Sequence, residues 1–197
     1  MASRAKNHKS TGRRAPDAIS LLTEDHRKVK RLLSALDNTT ERASSRRERL
    51  FAEIENELKI HSKVEEEIFY PAYKEAVHKS DQHLYYESLE EHHLVDVVLP
   101  EMKASSLDSE EFSAKAKVLK DLVEHHAEEE EAEMFPKARK MMGQIELREL
   151  GEQIEMRKEQ LQSGLMTRAA KTAGYALGTV ISRVTNNTKN NRKKRAA

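Results

Sequence analysis

Two stretches of the chain repeat one pattern of histidine, glutamate and proline. They are HSKVEEEIFYP, residues 61–71, and HAEEEEAEMFP, residues 126–136. In each, a pair of adjacent glutamates begins four residues after the histidine. Side chains four residues apart share one face of a helix, so His61 pairs with Glu65 and His126 pairs with Glu130. Imidazole and carboxylate groups placed side by side in this way are typical ligands of transition metals.

Apolar residues lie on the same predicted helix faces as these two pairs. They are Ile54, Leu58 and Phe69 in the first stretch and Leu119, Val123 and Met134 in the second. Both faces are therefore expected to point inward, where an imidazole and a carboxylate are costly to bury without a compensating partner. Two such faces would bring two nitrogens and two carboxylates to one centre, and a pair of metal ions is the occupant that we expect.

A further histidine lies in an apolar stripe on each of the two remaining helices. The dipeptide Glu91-His92 repeats Asp25-His26 66 residues later, and this alignment also matches Val29 with Val95. If His93 were used instead, Val29 would be matched with an aspartate, so we choose His92. Because the two histidine–glutamate stretches are offset by 65 residues, the sequence indicates a duplicated pair of helices.

Composition and spacing favour an all-α fold. The chain has only six glycines and four prolines, and its apolar residues recur at helical spacing. We predict an up-down-up-down four-helix bundle over residues 17–143. Its helices run from Asp17 or Ser20 to about 38–40, from near Glu41 through Val77, from 82 to 107 with Tyr85 facing inward, and from 108–111 to Gly143. A C-terminal helical extension over 144–164 follows, with Ile145, Leu150, Ile154 and Leu161 as its apolar face.

The collected candidates give one histidine per helix and two glutamates. They are His26, His61, Glu65, His92, His126 and Glu130. Four nitrogens with two carboxylates suit iron or manganese better than calcium or magnesium, which prefer oxygen ligands. Since a carboxylate has two oxygens, each glutamate could bridge two ions while the histidines bind at the outer sides.

The sequence resembles the hemerythrin-like, HHE cation-binding domain. The residues that carry the resemblance are Glu24-Asp25-His26, His61 with Glu65-Glu66 and Tyr70-Pro71, Glu91-His92, and His126 with Glu130-Glu131 and Phe135-Pro136. The four blocks occur in the family's order over about residues 17–140. The resemblance implies a four-helix bundle around two non-haem iron ions joined by an oxo or hydroxo bridge. It also implies that the four histidines are iron ligands and that the two glutamates bridge.

The sequence departs from the oxygen-carrying hemerythrins on the third helix. Those proteins place a second histidine four residues after the ligand, where this chain has Asp96. Asp96 is either a seventh ligand or leaves one iron more open, which would favour reaction with peroxide over reversible oxygen binding. The carriers also use a five-residue offset to the second carboxylate, which His125 would satisfy; we prefer His126 because it repeats His61.

The charge is divided between an acidic body and two basic tails. Of the 35 basic residues, five precede residue 17 and eight follow residue 164. The body therefore has 22 basic residues against all 34 acidic ones, a net charge of −12. We interpret 1–16 as a disordered tail and 165–197 as a basic tail that could contact nucleic acid, an anionic membrane or a protein. Without cysteine, a long apolar run or the apolar core of a secretory signal, a cytoplasmic location is expected.

These observations lead to one principal hypothesis and two alternatives. The first is a di-iron protein that binds dioxygen or reacts with oxygen-derived oxidants, for sensing, storage or protection. The second is an enzyme that removes peroxide or nitric oxide at the same metal pair. The third is an iron-sensing or iron-sequestering module whose basic tails bind a partner.

Overall fold

The computed structural model describes residues 16–164, and this part of the chain is helical without strands. Six of its α-helices are α1 (Ala18–Asp37), α2 (Ser44–Val64), α3 (Tyr70–Ala76), α4 (His83–Ala104), α5 (Glu110–Glu129) and α6 (Phe135–Met141). A π-helical turn, Glu65–Phe69, joins α2 to α3, and a second, Glu130–Met134, joins α5 to α6. The result is four long rods, α1, α2–α3, α4 and α5–α6, which pack as the predicted bundle.

Capping residues fix where two of the rods begin. The Asp17 carboxylate accepts a hydrogen bond from the backbone N–H of Ser20 at 2.8 Å, which starts α1 as predicted. Ser109 caps α5 in the same way, accepting from the N–H of Phe112 at 3.0 Å. The second rod begins three residues later than predicted, at Ser44. The preceding residues form a turn, which is closed by a bond from the Ala43 N–H to the Thr40 carbonyl.

The apolar core fills one part of the bundle and comes from all four rods. Its buried members are Val29, Leu33, Leu36, Phe51, Ile54, Leu58, Val95, Leu99, Met102, Phe112, Ala116, Leu119 and Val123. These are the residues that helical spacing turned inward, and burying them is the main stabilising contribution to the fold. One prediction on α4 was wrong: Tyr85 is only half-buried, whereas Leu84 and Ser88 are buried, so the inward face is shifted by one residue there.

A further helix covers residues 144–164, to the end of the described region. Leu150 and Ile154 are buried as predicted, but Ile145 is 72% exposed and Leu147 is buried instead. Gly151 lies against the start of α1, where an added Cβ would come within 2.6 Å of the Pro16 carbonyl oxygen. Close packing of the two backbones therefore requires glycine at this position.

The chain divides into two compact units. The first ends at Glu155 and contains the bundle; the second begins at Met156, and its described part, up to residue 164, is helical. Both basic tails predicted from the sequence, 1–16 and 165–197, lie outside the described residues apart from Pro16. In the described part, no helix combines the length and the apolar composition that crossing a bilayer would require.

Candidate metal centre

The structure brings all six predicted residues into one buried cluster. Each rod contributes a histidine: His26 from α1, His61 from α2, His92 from α4 and His126 from α5. Glu65 and Glu130 are the first residues of the two π-helical turns. All six side chains are almost completely buried, with exposed fractions between 0% and 5%.

The ring positions divide the histidines into two pairs. The centroids of His26 and His61 are 4.8 Å apart, and those of His92 and His126 are 4.9 Å apart. Distances between the pairs are longer, at 6.1 Å from His26 to His126 and 6.4 Å from His61 to His126. Each pair combines one histidine from the acid–histidine dipeptides with one from the repeated stretches.

Each glutamate contacts one histidine of either pair. Oε2 of Glu65 lies 3.2 Å from Nε2 of His61 and 3.3 Å from Nε2 of His92. Oε2 of Glu130 lies 3.3 Å from Nε2 of His26 and 3.7 Å from Nε2 of His126. The two carboxylates therefore span the gap between the histidine pairs.

The inward-facing polar atoms of the cluster have no hydrogen-bond partner within the protein. They are Nε2 of His26, His61 and His126, Oε1 of Glu65, and both carboxylate oxygens of Glu130. Buried polar atoms are usually satisfied, because leaving them unpaired costs about 1–3 kcal/mol each. In five of the six residues, all but His92, donor atoms lie within 4.8 Å of one another. This arrangement of nitrogen and oxygen donors fits metal ions.

The outer ring nitrogens, in contrast, are all paired with carboxylates. Nδ1 of His26 lies 2.9 Å from Glu131 and Nδ1 of His92 lies 3.1 Å from Glu66; each of these acids follows a cluster glutamate in sequence. Nδ1 of His61 lies 3.4 Å from Asp25, and Nδ1 of His126 lies 2.7 Å from Glu91. A carboxylate on Nδ1 orients the ring and makes Nε2 a stronger metal ligand.

The π-helical turns explain how an inward glutamate and a nearby proline coexist in one rod. A proline ring in an α-helix clashes with the carbonyl four residues earlier. The wider turn bonds the Tyr70 N–H to the Glu65 carbonyl five residues back, and Phe135 bonds to Glu130 in the same way. Pro71 and Pro136 then fall in the first turn of a new helix, where proline is tolerated. Such turns occur frequently at functional sites.

Burial and the neighbouring acids move the pKa values of two histidines in opposite directions. Burial alone would lower the pKa of His26, but hydrogen bonds to Glu130 and Glu131 outweigh it and raise this pKa to about 9. Complete burial lowers the pKa of His61 to about 4, although Asp25 opposes the shift. His61 is therefore neutral at pH 7, with a lone pair available for a metal.

The two glutamates also differ. Burial and the negative charge of Glu130 raise the pKa of Glu65 well above its ordinary value. Burial also opposes ionisation of Glu130, but the imidazoles of His126 and His26 outweigh it and hold the pKa of Glu130 below its usual range. Two carboxylates confined together resist carrying two negative charges unless cations neutralise them.

An aromatic ring from each π-helical junction stacks on a cluster histidine. Phe135 stacks on His26 with centroids 5.7 Å apart, and Tyr70 stacks on His92 with centroids 5.5 Å apart. The two aromatics occupy equivalent positions in the repeat, but Tyr70 carries a hydroxyl. That hydroxyl lies 3.4 Å from Oε2 of Glu65 and 3.4 Å from Nε2 of His92.

A cavity with a volume of about 10 Å³ adjoins the cluster. Its lining consists of His26, Val29, Leu58, His61, Ser62, Glu91, His92, Val95, Val123 and His126. This space is close to the minimum that one water molecule needs. A molecule of two or three atoms fits beside the cluster, and a larger substrate does not.

The alternatives left open by the sequence fall outside the cluster. His93 and Asp96 are exposed on the outer face of α4, so Asp96 is not placed to act as a seventh ligand. The side chain of His125 is 68% exposed and approaches the outer acid Glu91 at 3.7 Å. With Glu129, these two residues form a second, more exposed group of donor atoms.

Sequence reasoning missed the outer carboxylates and the hydroxyl. We had assigned Glu131 to a solvated face and Tyr70 to core packing. The doubled acids of the repeat, Glu65-Glu66 and Glu130-Glu131, were the available signal: the first acid of each pair faces inward and the second reaches the histidine of another rod.

The chain belongs to the hemerythrin HHE cation-binding domain family, whose model matches residues 17–138. It is therefore a metal-binding helical-bundle protein, as the sequence resemblance predicted. A solved structure of a hemerythrin HHE cation-binding domain-containing protein from Mycobacterium kansasii superposes with a TM-score of 0.68 at 28% identity, covering 78% of this chain and 91% of that one.

A curated relative from Nostoc sp. is named DNA nickase. It is 27% identical over 142 residues, which are 72% of this chain and 39% of the relative. This chain thus spans about two fifths of the length of that protein.

Proposed function

We propose that the buried cluster holds two iron ions and binds dioxygen or reacts with small oxygen-derived oxidants. In this proposal His26 and His61 bind one ion, His92 and His126 bind the other, and Glu65 and Glu130 bridge them. The observation that carries it is the set of inward Nε2 and carboxylate atoms that have no partner, backed by acids on every outer nitrogen. Manganese has similar ligand preferences and is the alternative metal.

The donor count supports binding of a small molecule. Two ions that share four nitrogens and four carboxylate oxygens have four of these donors each, which leaves positions open in a six-coordinate site. The adjoining cavity admits only a small molecule, and four of its lining side chains, Val29, Leu58, Val95 and Val123, are apolar. Iron supplies the redox chemistry when bound, and the protein's part is to position the ions and keep the site dry.

Metal analysis of the purified protein, with its ultraviolet–visible spectrum, tests the metal assignment. We expect about two iron atoms per chain, and loss of at least one in His126→Ala and in His61→Ala. The matched controls are His125→Ala and His93→Ala, which remove exposed neighbours and should leave iron content unchanged. Full iron and an unchanged spectrum in His61→Ala and Glu130→Ala would contradict the assignment.

The same preparation separates oxygen binding from catalysis. A spectral change that reverses on cycling between oxygen and argon supports oxygen binding. Sustained removal of peroxide or nitric oxide with iron retained supports a detoxifying enzyme instead. That second function is favoured by the exposed position of Asp96, since α4 then adds no further ligand to restrict the open positions.

For the basic tails we propose nucleic acid as the first partner to test. The support is their charge, 13 basic residues without an acid, and the name of the Nostoc relative. Binding to a DNA duplex should weaken with added salt and be lost when residues 165–197 are deleted. Retention by anionic vesicles instead would favour a membrane, and iron-dependent binding would favour a sensing role. We propose a cytoplasmic location from the cysteine-free sequence.

A further inference from the structure

The Tyr70 hydroxyl ends among the metal-ligand candidates of one half of the centre. Its oxygen, Oε2 of Glu65 and Nε2 of His92 are separated by 3.4, 3.4 and 3.3 Å, so the three atoms form a nearly equilateral triangle. Tyr70 is completely buried, and the adjacent π-helical turn aims its ring at this point.

The separations suit ligands of one ion better than a hydrogen bond. An O–H···O bond is usually about 2.7–2.8 Å long, so the hydroxyl is too distant to serve Glu65 well as a donor. Neighbouring ligands of an octahedral ion with bonds of about 2.1 Å lie about 3 Å apart. A slight contraction of the triangle around an ion would satisfy all three atoms together.

The equivalent position in the other half provides no such donor. Phe135 follows the second π-helical turn as Tyr70 follows the first, and it stacks on His26. The His26 side therefore has a ring without an oxygen, whereas the His92 side has a ring with one. A difference of a single hydroxyl distinguishes two otherwise repeated environments.

We propose that Tyr70 is a further ligand, through its phenol oxygen, of the ion bound by His92, and that the two ions are therefore chemically different. The proposal rests on the proposed iron pair. On binding, an iron–oxygen bond forms, the O–H bond breaks and the proton is released to solvent, as for other protonated metal ligands.

Spectroscopy of the iron-loaded, air-oxidised full-length protein tests this assignment. Phenolate bound to ferric iron gives a visible charge-transfer band, and excitation in that band enhances tyrosine ring vibrations in the resonance Raman spectrum. We expect both signals in the wild type. Tyr70→Phe should lose them completely while retaining about two irons per chain. The matched control is Tyr73→Phe, which removes another buried tyrosine hydroxyl, 3.3 Å from the Asp81 carbonyl, and should keep both.

Two additional measurements keep the test decisive if Tyr70→Phe folds poorly. Wild-type protein grown with ring-deuterated tyrosine should show the enhanced vibrations shifted. Phe135→Tyr supplies the missing hydroxyl on the His26 side and should strengthen the visible band. Wild-type protein with two irons but no tyrosine-derived vibration overturns the ligand assignment and leaves the iron proposal standing. Failure to bind iron at all overturns both.

Discussion

The two halves of the bundle, α1–α3 and α4–α6, agree at the metal centre and differ around it. Histidines, inner glutamates, outer acids, π-helical turns and prolines all recur at an offset of 65 or 66 residues. Tyr70 corresponds to Phe135, and Arg47 corresponds to Phe112. The repeated positions are those that contact the cluster from both sides, whereas the unmatched ones give each half its own chemistry and stability.

The outer acids show a smaller difference of the same kind. Asp25 and Glu91 occupy equivalent positions before a cluster histidine, but the longer glutamate reaches Nδ1 of His126 at 2.7 Å, while Asp25 stays 3.4 Å from His61. One additional methylene group thus converts a weak contact into a short hydrogen bond. The second half holds its histidine more firmly.

Metal removal should have the largest effect, because the centre joins the two halves. Glu65 contacts a histidine of each half, and so does Glu130. At a metal concentration about 1,000 times the dissociation constant, binding stabilises the folded state by about 4 kcal/mol. Chelation should therefore lower the Tm by roughly 10 °C. Calorimetry with and without chelator checks this, and His61→Ala should respond less. An unchanged Tm after verified metal loss would contradict it.

Replacing Arg47 should have the next largest effect. Its buried guanidinium donates to Thr39 Oγ1, the Leu107 carbonyl and Ser113 Oγ at 2.9, 2.7 and 2.9 Å. Arg47→Ala leaves these acceptors without their donor, so we expect the free energy of unfolding to fall by about 3 kcal/mol.

Urea denaturation measures this change. Arg47→Met, which restores apolar volume as in the Phe112 half, should recover part of the loss. A variant as stable as the wild type would show that this network does not stabilise the first half.

The outer acids should give a graded loss of metal affinity. Removing an acid that orients a ligating histidine typically weakens metal binding about 10–100-fold. We expect Glu91→Gln to fall in this range and Asp25→Asn to have a smaller effect, because its contact with His61 is longer. Competition with a chromogenic chelator measures both. Equal losses would show that the difference between the two halves does not extend to metal affinity.

The smallest expected effect concerns the cap of α1. Asp17 accepts from Ser20 and from Arg139, and these hydrogen bonds lower its pKa even though partial burial would raise it. Asp17→Ala should cost about 1 kcal/mol at pH 7. Because the folded-state pKa lies below the ordinary value of 3.8, the contribution is complete above that pH and is lost as the pH falls below it. Urea titrations of both proteins at pH 7 and pH 3 should therefore differ at the first pH and converge at the second.

The cluster could be located from sequence because two independent patterns agreed there. Helical spacing turned His61 and Glu65 inward, and the duplication required the same of His126 and Glu130. Tyr70 could not be found in this way. Five residues along a regular α-helix rotate a side chain about 140° from the Glu65 face, so periodicity placed its hydroxyl elsewhere. The π-helical turn removes that discrepancy, and neither hydrophobic spacing nor composition predicts it.

The outer acids were missed for a different reason. Glu66 and Glu131 follow inward glutamates, and a residue adjacent to an inward one on a helix usually faces away. In the folded bundle each reaches sideways to a histidine on another rod, a contact that depends on how the rods pack. Patterns within one helix specify the face of a side chain but not its partner on the next rod.

The π-helical turns also make the length of this segment critical, independently of its composition. Each behaves as a helix with one residue added, so deleting a single amino acid between Glu65 and Tyr70 would restore regular winding. Everything downstream would then turn by about 100° relative to the glutamate. The shortened chain would keep every proposed ligand, yet Tyr70 would swing out of register with His92. Homologues that differ by one residue in this interval are thus expected to have lost the aromatic neighbour together with the extra residue.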